Sequence, residues 1–241
     1  MWKKTITFII GILFPKKCPF CEELMDITQE QTICDNCRAE ISWINEKMGI
    51  CSKCSKPLVD KSKSYCYDCE KTKHHYYKGR ALWLYAGRVQ DSIIRYKFNG
   101  KRGYYRSYVT ELVKCFDKQK DWNIDIITSV PMHKYRLRER GYNQSALLAE
   151  GFSLETGIKL DNKLLIRVKN TARQKDLSDL ERIHNMKNAF LINNTELEGK
   201  NILIIDDIYT TGSTLDGCAA ELIKNGAAKV YFMTLAIGKG L

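Results

Sequence analysis

The rhythm of hydrophobic and polar positions changes about a third of the way along the chain. Up to about residue 76, apolar residues are scattered among short polar turns. From Ala81 onward, apolar runs alternate with amphipathic stretches. Ala81 to Ala86 predicts a strand, and Arg88 to Phe98 a helix with Val89, Ile93, Ile94 and Tyr96 or Lys97 around it. Ile124 to Val130 predicts a second strand, closed by Pro131. Tyr142 to Glu155 predicts a helix on Leu147, Leu148, Phe152 and Leu154. Asn201 to Ile205 is continuously apolar, as a strand buried on both faces would be. Leu215 to Lys224 predicts a helix ended by Asn225-Gly226, and Val230 to Ile237 the last strand. This alternation predicts an α/β domain over residues 77–241, with an open, mostly parallel sheet flanked by helices. Its boundary is expected near His74 to Gly79.

The first 76 residues are expected to form an N-terminal helix and a small metal-binding domain. Ile6, Ile9, Ile10 and Leu13 fit one face of an amphipathic helix. The apolar run there is short beside the roughly 20 residues of a membrane span, and no small-residue cleavage site follows it. No membrane span and a cytoplasmic location are expected. Eight of the ten cysteines lie in four CxxC pairs: Cys18/Cys21, Cys34/Cys37, Cys51/Cys54 and Cys66/Cys69. Two residues between thiolates let one tight turn aim both sulfurs at a single ion, and two such turns complete a closed tetrahedral site. Four pairs within about fifty residues predict two structural zinc ions, where a secreted chain would use disulfides. Sequential and crossed pairing of the four motifs both remain open. Cys115 and Cys218 stand alone in predicted helices and read as small hydrophobes, and His74 and His75 as surface residues.

The formal net charge is +11 over 241 residues. Eight ionised thiols, offset by the four charges of two zinc ions, lower it by four, to +7. A balance this basic points to anionic partners such as phosphates or nucleic acid. The chemistry concentrates in Ile202 to Thr214. An apolar strand delivers Asp206 and Asp207 at its carboxyl end, and Thr210-Thr211-Gly212-Ser213-Thr214 then opens a helix. That turn offers backbone N–H groups, a glycine permitting close approach and four hydroxyls, a cradle for a phosphate dianion. A plain turn capped by Ser213 or Thr214 would account for one hydroxyl only.

These residues resemble the phosphoribosyl-pyrophosphate motif of type I phosphoribosyltransferases: an apolar strand, two acids and a TTGxT turn. Arg136-Leu137-Arg138-Glu139-Arg140-Gly141-Tyr142-Asn143-Gln144 is similar to the R-x-R-G-[FY]-N-Q signature of the ComF family. Thr171, Gln174, Leu177, Arg182 and Asn185 match that family's further pattern, and the four cysteine pairs match its double zinc ribbon. The resemblance implies a type I phosphoribosyltransferase-like sheet behind a double zinc ribbon. It also implies that Asp206 and Asp207 hold the ribose hydroxyls, and that Thr210 to Thr214 wrap the 5′-phosphate. Arg136, Arg138 and Arg140, on the turn after a strand, would meet the pyrophosphate. Mg²⁺ would arrive with the phosphoribosyl pyrophosphate, and Gln174 to Asn185 would roof the acceptor site.

Two functions follow as expectations. One is transfer of phosphoribose to an unidentified acceptor, helped by positioning and by neutralisation of leaving-group charge. The other is handling of single-stranded DNA alongside DNA-uptake proteins, with a donor site that regulates. Tyr96, Phe98, Tyr104, Tyr105 and Tyr108, interleaved with basic residues, fit the second as stacking groups, or else two amphipathic helices.

Overall fold

A computed structural model describes residues 16–26, 31–168, 189–193 and 196–238. The helix expected on Ile6 to Leu13 and the roof expected on Gln174 to Asn185 lie outside those residues. Seven α-helices are found among the described residues: α1 (Asp35–Glu40), α2 (Tyr67–Lys71), α3 (Gly87–Phe98), α4 (Tyr105–Phe116), α5 (Lys134–Arg140), α6 (Gln144–Thr156) and α7 (Ser213–Lys224). The strands are β1 (Lys78–Leu84), β2 (Ile126–Ser129), β3 (Lys159–Leu160), β4 (Leu165–Arg167), β5 (Phe190–Ile192), β6 (Asn201–Tyr209) and β7 (Lys229–Ile237). Five of them form one parallel sheet in the order β1-β7-β6-β2-β3, while β4 and β5 make a separate antiparallel pair.

Backbone pairing moves several boundaries from the positions that side-chain pattern predicts. β1 begins at Lys78, because Lys78 and Gly79 pair with Tyr231 and Phe232 of β7. Gly79 is required there, since a Cβ would run into the Phe232 ring. β6 continues past its apolar run to Tyr209, its register with β7 holding Asp206 opposite Thr234 and Tyr209 opposite Ile237. The two acids therefore lie inside the strand and not at its end. α7 starts at Ser213, two residues ahead of the expected Leu215, because Gly212 takes the N-cap with φ +79°.

Alternation along the strands gives the sheet two apolar faces. Leu203, Ile205, Tyr231 and Met233 pack with α3, α4 and α6, and with Cys18, Phe20, Ile33 and Cys37. Ile202, Ile204, Val230 and Phe232 pack with α7, and with Cys51, Cys54, Cys66 and Tyr76. The two cysteine-rich segments thus join opposite faces of one sheet. Between them, Trp43 bridges Trp83 in antiparallel sense, Ile44 N–H donates to Leu82 O and Leu84 N–H to Ser42 O. Residues 42–44 thereby pair along the outer side of β1. No helix among the described residues is long and apolar enough to cross a membrane.

Candidate functional site

The cysteines gather as Cys18, Cys21, Cys34, Cys37 and as Cys51, Cys54, Cys66, Cys69, each set with its sulfurs within 4.8 Å of one another. Pairing is therefore sequential. Both clusters use the same local design. Cys18 O accepts from Glu22 N–H, and Cys51 O from Ser55 N–H, closing turns with Glu22 at φ +64° and Ser55 at φ +65°. Cys34 and Cys66 stand at the N-caps of α1 and α2. The Sγ separations of 3.6 Å for Cys21–Cys34 and 3.7 Å for Cys54–Cys66 match the roughly 3.8 Å edge of a tetrahedron with Zn–S bonds of about 2.3 Å. Burial pushes the Cys37 thiol up, so four close sulfurs need a cation to ionise together. All-sulfur donor sets of this shape fit structural zinc.

The second centre is the turn after β6. Thr210, Thr211, Ser213 and Thr214 are exposed or half-buried, while Gly212 is buried over Tyr209, whose hydroxyl a Cβ at 212 would strike. Thr211 Oγ1 lies 2.9 Å from Ser213 Oγ and accepts from Ser213 N–H at 3.5 Å, while the N-cap residue Gly212 has no side chain to cap α7. Apart from that one long bond, the helix start lies beside four hydroxyls with no cap from its N-cap residue. Asp216, one turn in, accepts from His75 N–H at 2.6 Å. Burial would raise its carboxyl, but the bonds from His74 and His75 outweigh that and hold it below the ordinary range.

Behind the turn, the acid pair is bracketed by the arginine-rich signature. Asp207 is 4% exposed, with Lys97 Nζ 2.7 Å from Oδ1 and Gln144 Nε2 donating to Oδ2 at 2.6 Å. Asp206 is 9% exposed and accepts from Ser145 Oγ at 2.7 Å. Burial, and then the charge of Asp207, pushes the Asp206 carboxyl up to about 7. Gln144 and Ser145 reach the acids because Asn143 caps α6, accepting from Ser145 N–H at 3.0 Å and donating to Val130 O at 3.1 Å. Gly141, at φ +77°, ends α5 and turns the chain into that cap. Tyr142 donates to Tyr96 O. The arginines lie on α5 and not on an open turn. Arg140 donates to Gln144 Oε1 at 2.6 Å and covers the Phe98 ring at 4.6 Å; Arg136 is half-buried and Arg138 exposed. Arg167, at the end of β4, is held below the usual guanidinium value by burial and by the charge of Arg136, with Asp206 acting the other way.

Sequence reasoning missed several of these groups. Lys97 is a buried lysine on the apolar stripe of α3, and that stripe was the available signal. His74 is buried, contrary to the surface position expected, because it stacks on Tyr76 at 4.7 Å and lies 3.5 Å from Asp216. His75 is exposed as expected. Cys218 is fully buried and Cys115 half-buried. Tyr96, Tyr104 and Tyr108 are buried in α3, α4 and the turn between them, so they serve the core and not base stacking. Volume alone does not mark the site. A cleft of about 500 Å³ is lined by residues including Lys53, His74, Tyr77 and Lys229, and neither the acid pair nor residues 210–214 line it. Buried donors, acceptors and charges converge instead on the acid pair.

The chain matches the double zinc ribbon domain over residues 9–70 and the phosphoribosyl transferase domain over residues 153–240. It is 29% identical over 216 residues to competence protein ComFC of Bacillus subtilis, covering 86% of this chain and 84% of that protein. It is 30% identical over 223 residues to competence protein F of Haemophilus influenzae, covering 84% of this chain and 96% of the relative. It is 33% identical over 206 residues to the DNA utilization protein YhgH of Escherichia coli, covering 78% of this chain and 89% of that one. Two tetracysteine ribbons built on one five-stranded sheet whose central strand β6 carries the acid pair, with near-full-length similarity at 30% identity, place the chain in the ComF family.

Proposed function

We infer that the chain binds phosphoribosyl pyrophosphate, with the 5′-phosphate on Thr210, Thr211, Gly212, Ser213 and Thr214. The observation that carries this reading is the sequence of groups along β6 into α7. A buried acid pair is followed within six residues by an αL glycine and a helix start whose N-cap carries no side chain. Asp206 and Asp207 accept from the ribose hydroxyls with the lone pairs that Ser145, Lys97 and Gln144 leave over. Arg136 and Arg140, on the half-buried side of α5, counter pyrophosphate charge; Arg138 is the outlying member. Mg²⁺ enters with the donor through its phosphates, since it keeps most of its waters and needs no protein cage. The role in DNA uptake is carried by the relatives' names and by the basic charge.

Calorimetric titration of the full chain with phosphoribosyl pyrophosphate and Mg²⁺ tests this. Binding by wild type, with at least a tenfold loss in Asp206→Asn and in Thr211→Val, is the expected result. Equal affinity in wild type and both variants would remove the loop from the reading. In the same samples, the slope of single-stranded DNA affinity against salt reports the basic surface separately.

A further inference from the structure

The second ribbon sits directly beneath the proposed phosphate loop. Tyr76 follows its last ligand, Cys69, by seven residues and is 1% exposed. The Tyr76 hydroxyl lies 2.8 Å from that of Tyr209, the last residue of β6, and 4.0 Å from Cys69 Sγ. Tyr209 is likewise 1% exposed; its ring stacks on Phe232, and its hydroxyl occupies the space a side chain at Gly212 would need. The knuckle between Cys51 and Lys56 adds Lys53 Nζ, 5.6 Å from the Tyr76 ring centre, and Lys56 Nζ, 6.0 Å from that of Tyr209. Lys56 is fixed in turn by Asp68 of α2 at 2.6 Å. The far end of the loop is tied by His75, whose N–H and ring meet the two oxygens of Asp216 at 2.6 and 3.2 Å. Both ends of residues 209–216 are therefore held by consecutive residues, 75 and 76, of the segment leaving the ribbon.

We propose that Tyr76 and His75 are positioning residues for the phosphate loop, and that metal loading of the second cluster sets that loop's order and its affinity for a sugar phosphate. The affinity part rests on the donor reading above; the ordering part does not. The cluster fixes α2 and the knuckle, these fix Lys53, Lys56 and Tyr76, and Tyr76 fixes the hydroxyl under Gly212. A ligand that needs the loop in one shape binds more weakly in proportion to the time the loop spends outside it. The first cluster joins the opposite sheet face and gives the control.

The test uses the full chain and three readouts: zinc per chain, amide hydrogen exchange over residues 211–214, and affinity for phosphoribosyl pyrophosphate. Tyr76→Phe should keep two zinc ions, speed loop exchange about fivefold and weaken the donor by a similar factor, the net worth of one neutral hydrogen bond. Cys69→Ser should lose one zinc and speed loop exchange more than tenfold, whereas Cys21→Ser should lose one zinc and leave the loop near wild type. Wild-type exchange in Tyr76→Phe, or equal acceleration in Cys69→Ser and Cys21→Ser, overturns the proposal. If Cys69→Ser fails to fold, Tyr76→Phe decides alone. A wild-type chain that does not bind the donor defeats the donor reading, and loop exchange still decides the coupling.

Discussion

The two ribbons share a turn, a helix N-cap and a tetrahedral sulfur set, yet they hold different things. The first grips α3 and α4. Arg95 Nη2 donates to Phe20 O at 2.8 Å, Ser92 donates to Pro19 O, and Glu111 accepts from Thr32 at 2.7 Å and from Arg38 at 2.8 Å. It reaches the acid pair along α3, whose Lys97 meets Asp207. The second ribbon touches Tyr209 and Asp216 through residues 75 and 76, with no helix between. One folding unit thus serves as a brace in one copy and as a floor for the loop in the other. The metal chemistry is common to both; the partner surface separates their roles.

The largest effect that would break this comparison is metal loss. Chelating both ions should unfold each ribbon, since structural zinc contributes on the order of 10 kcal/mol per site. Thermal denaturation should show early loss of the near-ultraviolet signal of the buried Trp83 and half-buried Trp43, which pack at 5.5 Å beside the first ribbon. Next comes Lys97→Met, which strands a buried carboxylate and should cost about 3–5 kcal/mol in denaturant unfolding while zinc content stays at two. Exchange over residues 211–214 should stay near wild type in that variant; a rise would mean that α3 also supports the loop. Smaller again, Glu111→Gln should cost about 1–3 kcal/mol by weakening the bonds to Arg38 and Thr32, and leave sugar-phosphate affinity unchanged.

A separate effect is in pH dependence. Folded Asp206 keeps its proton up to about 7, against an ordinary 3.8. Between those values the native chain binds more protons than the unfolded one, so this residue's contribution to stability falls as pH rises from about 4 to about 7. Asp206→Asn should flatten that part of the curve in denaturant titrations. An unchanged slope would show that the proton resides elsewhere in the pair.

The sheet was legible because β6 and β7 are buried on both faces, and an apolar run needs only its length to be read. The zinc clusters were legible because spacing alone constrains them, although their pairing had to come from geometry. What escaped was set by contacts far apart in sequence. His74 reads as a polar residue in a linker, and only Asp216, some 140 positions on, explains its burial. Lys97 was on the apolar stripe but had no visible partner until α6 brought Gln144 and the strand brought Asp207. The end of β6 was misplaced because backbone pairing with β7 is indifferent to side-chain charge, so the ladder runs through both aspartates. The arginines were read on the turn after a strand, whereas residues 134–140 close into the seven-residue helix α5.

The short run 42–44, between the two ribbons, has a consequence for solubility. A sheet margin left open is a template for further strands. Here the margin at β1 is occupied by backbone from Ser42 and Ile44 and shielded by indole packing. Both tethers of that run end in cysteine ligands, Cys37 before it and Cys51 after it. A metal-depleted chain is therefore expected to self-associate through β1, making zinc supply a determinant of how much of this protein stays dispersed.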